Sequence, residues 1–252
     1  VLEFIYYFRW LRLAHAPSRG AGENPERNGS LMPAHVFGLV ALATGIALAS
    51  RLAASSTEAV LALAGAGVVL LAAWHLPGRA LQTLSLVAIG AAGWMLHGAG
   101  ALEPTSITGF FMLIVLFGAF TVALAGVGTP PEGKRYHGLF LLLVASLVVL
   151  VDARTPLAFF AGWELMTWTS YLLVAQGERG GRPAFRYMLF SGAAGFLVLG
   201  GLMVATGAGA AGIADFARLT GPAVLWTAFL MGAGFAVKAA SAGAHVWAPD
   251  AY

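Results

Sequence analysis

The chain has 252 residues, 59% of them hydrophobic and 10% charged, with a formal net charge of +3. An ordinary soluble domain carries about 25% charged residues, and surface-to-volume scaling gives a soluble chain of this size no core large enough to hide so much apolar surface. Cysteine is absent, which excludes disulfides, iron–sulfur ligation and thiolate zinc sites within the chain. The small net charge without a basic polar surface gives no nucleic-acid signature.

From the N-terminus, residues 1–13 are aromatic and carry Arg9 and Arg12. They lack the ordered basic, apolar and cleavage regions of a signal peptide. The chain opens on Val1 rather than Met and stops at Tyr252, directly after an apolar stretch, so both ends read as cuts in a longer protein. Apolar runs of roughly 17–25 residues suffice to cross about 30 Å of hydrocarbon. Such runs predict about eight helices, at 33–50, 58–76, 79–98, 106–127, 136–151, 155–175, 185–207 and 222–243. They are continuous and rich in Leu and Ala, which favours helices over a barrel. The expected fold is all-α, a polytopic transmembrane helix bundle, and the 33 glycines suit close helix approach in lipid. Turn chemistry separates the runs at Leu76-Pro77-Gly78, at Gly128 to Pro131 and at Gly177 to Pro183. The Gly/Ala tract 207–212 reads as a mobile loop.

Counting Lys and Arg on alternate sides orients the bundle. One side holds ten (Arg9, Arg12, Arg19, Arg27, Arg79, Lys134, Arg135, Arg179, Arg182 and Arg186) and the other three, Arg51, Arg154 and Arg218. The positive-inside rule puts the ten-charge side, with the N-terminal segment, in the cytoplasm. The expected location is integral to a bacterial or archaeal plasma membrane.

Two ionisable residues sit well inside predicted spans, Glu164 near the middle of the sixth and Lys238 in the cytoplasmic half of the eighth. An intramembrane charge costs roughly 2.5–3.5 kcal/mol on insertion scales, faces the bundle interior and often pairs. One reading is an ion pair that staples two helices. The other is a proton relay, because burial disfavours a charged lysine while a nearby carboxylate favours it, and a movable Glu partner can switch the amine near physiological pH. Thr167 and Tyr171 lie at i+3 and i+7 from Glu164 on its helical face, with Ser170 close by. These hydroxyls either steady the carboxylate or bond their own helix backbone. Around Lys238, Gly232 and Gly234 precede it, and Ser241 and Gly243 follow. Interrupted helices at membrane depth often mark ion sites. His245, seven residues after Lys238, shares its face on a continuous helix and either continues a proton path or sits at the interface beside Trp247. His75, His97 and His137 lie near span ends and match no metal template.

Two stretches resemble a known family. Asp152 to Val174, with Phe160-Ala-Gly-Trp-Glu164 at its centre, resembles the fifth-helix signature of the antiporter-like subunits of respiratory complex I. Gly234 to Lys238, continuing through His245-Val-Trp-Ala-Pro-Asp-Ala-Tyr252, resembles the seventh-helix signature. Mrp cation/proton antiporter subunits and membrane subunits of group 4 hydrogenases share these motifs. Weaker similarity at Glu103 to Phe117 and at Ala184 to Phe190 extends the resemblance over roughly 58–252. It implies that residues 58–252 form the N-terminal half of an antiporter-like module, with Glu164, Lys238 and His245 as its proton relay. Gly243 stands where the family usually has a proline. Residues 1–57 would be the end of a preceding module, followed by a cytoplasmic linker and one span, or else a simple N-terminal extra helix.

The resemblance implies proton translocation as a non-catalytic subunit of a complex I-like NADH:quinone oxidoreductase or membrane-bound hydrogenase. Its partners would be other membrane-arm subunits and peripheral redox subunits, with no cofactor in this chain. The alternatives are a subunit of a multi-subunit Na⁺/H⁺ antiporter and a non-redox partner such as an inorganic-carbon uptake subunit.

Overall fold

A computed structural model describes residues 45, 56–73, 75–125, 135–176 and 181–241. Among them the chain forms seven α-helices: α1 (Thr57–Ala72), α2 (Gly78–Gly98), α3 (Ile107–Ala125), α4 (Tyr136–Val151), α5 (Pro156–Val174), α6 (Gly181–Gly207) and α7 (Gly221–Lys238). A short 3-10 helix, Ile213–Arg218, precedes α7. Of the proposed preceding module in residues 1–57 only Gly45, Ser56 and Thr57 are described; its remaining residues, with the rest of the expected first span at 33–50, Gly243 and His245, lie outside the described residues.

By length and composition, α2, α3, α6 and α7 can each cross a membrane. The other two apolar helices, α1 and α4, have 16 residues each, just under the roughly 17 needed to span. Helix α5 has 19 residues but spends many of them on polar side chains, including Glu164, Thr167, Thr169 and Ser170. The bundle is therefore all-α and membrane-spanning.

Local chemistry sets the helix ends. Ser56 donates from both its N–H (3.0 Å) and its hydroxyl (2.7 Å) to Asp152 Oδ2 at the end of α4, which serves the open N-terminus of α1. Ser106 Oγ accepts from Gly109 N–H at the start of α3. Thr155 Oγ1 accepts from Ala158 N–H, with Pro156 at the first helical position of α5.

Packing runs α2 against α1, α3 against α2, and α4 against both α1 and α5, then on through α6 to α7. Eleven of the sixteen residues of α4 are buried, as a helix apolar all round requires. On α3 the side chains of Ile107, Phe110, Phe117 and Leu124 remain outward, a face suited to lipid. The most extensive contact is between α6 and α7. There a Cβ on Gly234 would lie 2.8 Å from Ala194 O and 2.7 Å from Val198 Cγ2, so only glycine permits this approach. Gly234 is one turn before Lys238, and the close crossing carries the lysine to α6.

Two expectations need correction. The eighth span does not continue to 243: α7 ends at Lys238. Ser241 N–H donates to Ala236 O (2.9 Å) and Ala240 N–H to Val237 O (3.2 Å), with Ala240 at φ 52. This is a Schellman ending with Ala where glycine is usual. A continuous helix from Lys238 to His245, on which the two would share a face, is therefore interrupted at Ala240. The Gly/Ala tract, for its part, is anchored rather than loose. Ile213 N–H donates to Arg154 O (2.8 Å), and Asp215 Oδ2 accepts from Gly212 N–H (2.9 Å).

An L-residue in the left-handed region costs roughly 1–2 kcal/mol. Ala240→Gly is expected to stabilise the bundle by about 1 kcal/mol, read as a higher midpoint of thermal unfolding in detergent micelles. A lowered midpoint contradicts the assignment of this helix end.

Candidate functional site

Helices α5, α6 and α7 converge on the ammonium of Lys238. Its Nζ donates to Tyr187 OH at 2.7 Å, Thr167 Oγ1 at 3.0 Å and Ser191 Oγ at 3.1 Å. An ammonium has three N–H donors and no acceptor, so this cage satisfies it completely. The three hydroxyl residues are each no more than 2% exposed. Thr167 Oγ1 also donates its own hydrogen to Trp163 O at 2.9 Å, which leaves a lone pair turned to the lysine. Two aromatic faces complete the surroundings, with Nζ 4.6 Å from the ring centre of Tyr187 and 5.8 Å from that of Trp163. Both lie within cation–π range. Trp163 is in turn packed against Phe159 and Phe235, with ring centres at 6.4 and 5.5 Å.

Helical spacing explains the convergence. Tyr187, Ser191 and Gly195 follow one another at i, i+4 and i+8 on α6, forming one stripe. Trp163 and Thr167 are likewise i and i+4 on α5. Glu164 lies beside this stripe. A Cβ on Gly195 would stand only 2.6 Å from Glu164 Oε1, so the carboxylate reaches the backbone of α6 where no side chain intervenes. Glu164 and Lys238 thus approach the same stripe of α6, the first at Gly195 and the second at Tyr187 and Ser191. Among the described residues no ion pair within 4.0 Å joins them. The direct neighbours of the lysine are hydroxyls.

The sequence-derived site residues distribute as follows. Thr167 reaches the cage, but as a partner of Lys238 rather than a support for Glu164. Tyr171, 4% exposed, packs one turn further along α5 in a cluster with Tyr187 and Met188. Ser170 does not bond the lysine, and Ser241 is exposed, contributing its backbone to the end of α7. Gly234 positions α7 against α6. Sequence reasoning did not find Tyr187, Ser191, Gly195 or Trp163. The signal was available in two hydroxyls and a glycine at four-residue spacing on an otherwise apolar span.

If the cage holds a charged amine, removing an acceptor should couple to removing the charge. Tyr187→Phe is expected to destabilise the folded chain by about 1–3 kcal/mol, measured by thermal unfolding in lipid nanodiscs. In a Lys238→Met background the same change should cost much less, giving a coupling energy of roughly 0.5–3 kcal/mol. Strictly additive costs would show that the hydroxyl and the amine act independently.

Residues 153–252 match a family model described as "NADH:quinone oxidoreductase/Mrp antiporter, TM". The chain is 31% identical over 166 residues to NADH-quinone oxidoreductase subunit N of Heliobacterium modesticaldum, covering 62% of this chain and 35% of that protein. It is 32% identical over 199 residues to subunit N of Cereibacter sphaeroides, covering 75% and 44%. Its fold is similar to a chain of respiratory complex I from Thermus thermophilus, with a TM-score of 0.60 at 25% identity, over 77% of this chain and 47% of that one. The chain spans about a third of the length of the first three curated relatives it matches.

Proposed function

Because residues 153–252 belong to the antiporter-like transmembrane family of NADH:quinone oxidoreductases and Mrp antiporters, we propose that this chain moves protons across the membrane as part of a complex I-like assembly. The observation that carries the reading is the Lys238 ammonium held by Thr167, Tyr187 and Ser191 inside the bundle, with Glu164 against Gly195 on the same stripe of α6. A lysine at membrane depth is expensive unless its charge is stabilised. Here the hydroxyls and aromatic faces stabilise the charged amine, and the low-dielectric surroundings oppose it. That balance makes the amine responsive to small changes nearby, above all the charge and position of Glu164. Lys238 is the proton-loading group in this reading, and Glu164 biases it.

Electron transfer belongs to partner subunits, and this chain contributes protonation and deprotonation only. Its neighbours would be other membrane-arm subunits and peripheral redox subunits. For orientation, the Ser56–Asp152 and Arg154–Ile213 hydrogen bonds gather the start of α1, the α4–α5 turn and the α6–α7 loop at one end. That end carries Arg154 and Arg218, members of the three-charge group. The grouping supports the alternation from which the positive-inside rule places the opposite end in the cytoplasm.

The experiment is proton translocation by the assembled complex in sealed vesicles. Lys238→Met and Glu164→Gln are each expected to reduce it by at least about a hundredfold, in the range for loss of a proton-transfer group, with normal assembly on native gels. Normal translocation in both variants would overturn the proposal. Activity that requires sodium and no redox subunit would instead assign the chain to an Mrp-type antiporter.

A further inference from the structure

Where α5, α6 and α7 meet, the polar side chains stop at Glu164. On α6 the stripe that begins with Tyr187, Ser191 and Gly195 continues as Val198 and Leu202, both buried. No residue of α6 from Phe196 to Ala205 has a polar side chain, and none of α5 from Pro156 to Gly162 has one. The hydroxyl that α7 carries ahead of its lysine, on Thr227, donates to Gly201 O at 3.5 Å. From Pro156 to Glu164 the helix rises about 12 Å at 1.5 Å per residue. A proton moves between groups in hydrogen-bond reach of one another, and a bare charge among apolar side chains is strongly disfavoured. This stretch therefore separates Glu164 and Lys238 from the Arg154 end of the bundle.

The 3-10 helix Ile213–Arg218 is strapped across that end. Ile213 N–H donates to Arg154 O at 2.8 Å, in the turn from which α5 starts. A Cβ on Gly212 would stand 3.3 Å from the same carbonyl, so the strap lies close on the turn. Asp215 braces it from within, accepting from Gly212 N–H at 2.9 Å and from Arg218 Nη1 at 3.3 Å. Phe216 leaves the strap to pack against the buried cluster of Trp163, Ala194, Val198 and Leu202, together with Phe159 and Phe160. We propose that the strap is a seal: Phe216 closes the apolar barrier at the Arg154 end, and the Ile213–Arg154 bond holds it there. A relay open at that end would pass protons down their gradient without driving force from the partner subunits. The inference rests on the relay reading of Glu164 and Lys238, and it adds the segment that keeps the relay from leaking.

The test is passive proton entry into sealed vesicles that hold the assembled complex, followed after a pH jump with no redox substrate present. Phe216→Ala thins the barrier. Ile213→Pro removes the N–H that ties the strap down; proline fits the first helical position, and Gly212 ahead of it is already extended at φ -122 and ψ 164. Ile213→Ala, which keeps the N–H, is the control. Phe216→Ala and Ile213→Pro are each expected to raise proton entry on the order of tenfold, and adding Lys238→Met to either is expected to restore the starting rate. Unchanged entry in these variants, with normal assembly on native gels, overturns the seal. So does a rise that persists with Lys238→Met, because that leak runs around the relay, and an equal rise in Ile213→Ala overturns the role of the tie. If one of the two variants fails to assemble, the other decides. Normal redox-driven translocation in Lys238→Met alone would instead refute the relay reading, whatever the passive rates.

Discussion

The ammonium of Lys238 is the constraint around which α5, α6 and α7 are arranged. A primary amine at the end of a membrane helix needs three acceptors, and its own helix can offer few, because the carbonyls of its last turn, Phe235, Ala236 and Val237, already accept from the N–H groups of Ala239, Ser241 and Ala240. The acceptors come from two neighbouring helices, one hydroxyl from α5 and two from α6. Satisfying the amine therefore also fixes how the three helices cross. The aromatic faces of Trp163 and Tyr187 exclude competing solvent without adding a fixed negative charge.

Glycine makes that arrangement sterically possible, at two positions with different consequences. Gly234 lets α7 lie against the backbone of α6, which brings the lysine within reach of Tyr187 and Ser191. Gly195 opens α6 to the carboxylate of Glu164. One glycine serves the cation and the other the anion, and among the described residues no ion pair within 4.0 Å joins the two charges. A fully paired buried ion pair is hard to separate once formed. An amine held by neutral hydroxyls can change charge with little rearrangement, which suits a relay better than a staple.

Much of this was legible in the sequence because lipid imposes severe rules. Long apolar runs gave the helices, and two charges at membrane depth gave Glu164 and Lys238 as the residues to watch. The spacing from Glu164 to Thr167 placed a hydroxyl correctly on the polar face of α5, though the partner it serves is the lysine on another helix. Tyr187 and Ser191 were not legible in the same way. Their four-residue spacing marks a stripe on α6, but its role appears only when α7 delivers a cation to it. The end of α7 escaped for a local reason. Ala239-Ala240-Ser241 carries no glycine or proline to mark a stop, yet Ala240 takes the left-handed conformation that closes the helix. The hydrophobic pattern continues past a boundary that the backbone sets.

The central claim is that Lys238 exists in two charge states controlled by Glu164. The sequence contains two lysines, Lys134 and Lys238. A Lys134→Arg chain labelled with ε-¹⁵N-lysine and reconstituted in lipid therefore gives a single side-chain amine signal by solid-state NMR. The account predicts both ammonium and neutral-amine signals across the pH range in which protons are translocated, in a ratio that changes with Glu164→Gln. A signal that remains ammonium throughout, and is the same with Glu164→Gln, would contradict it.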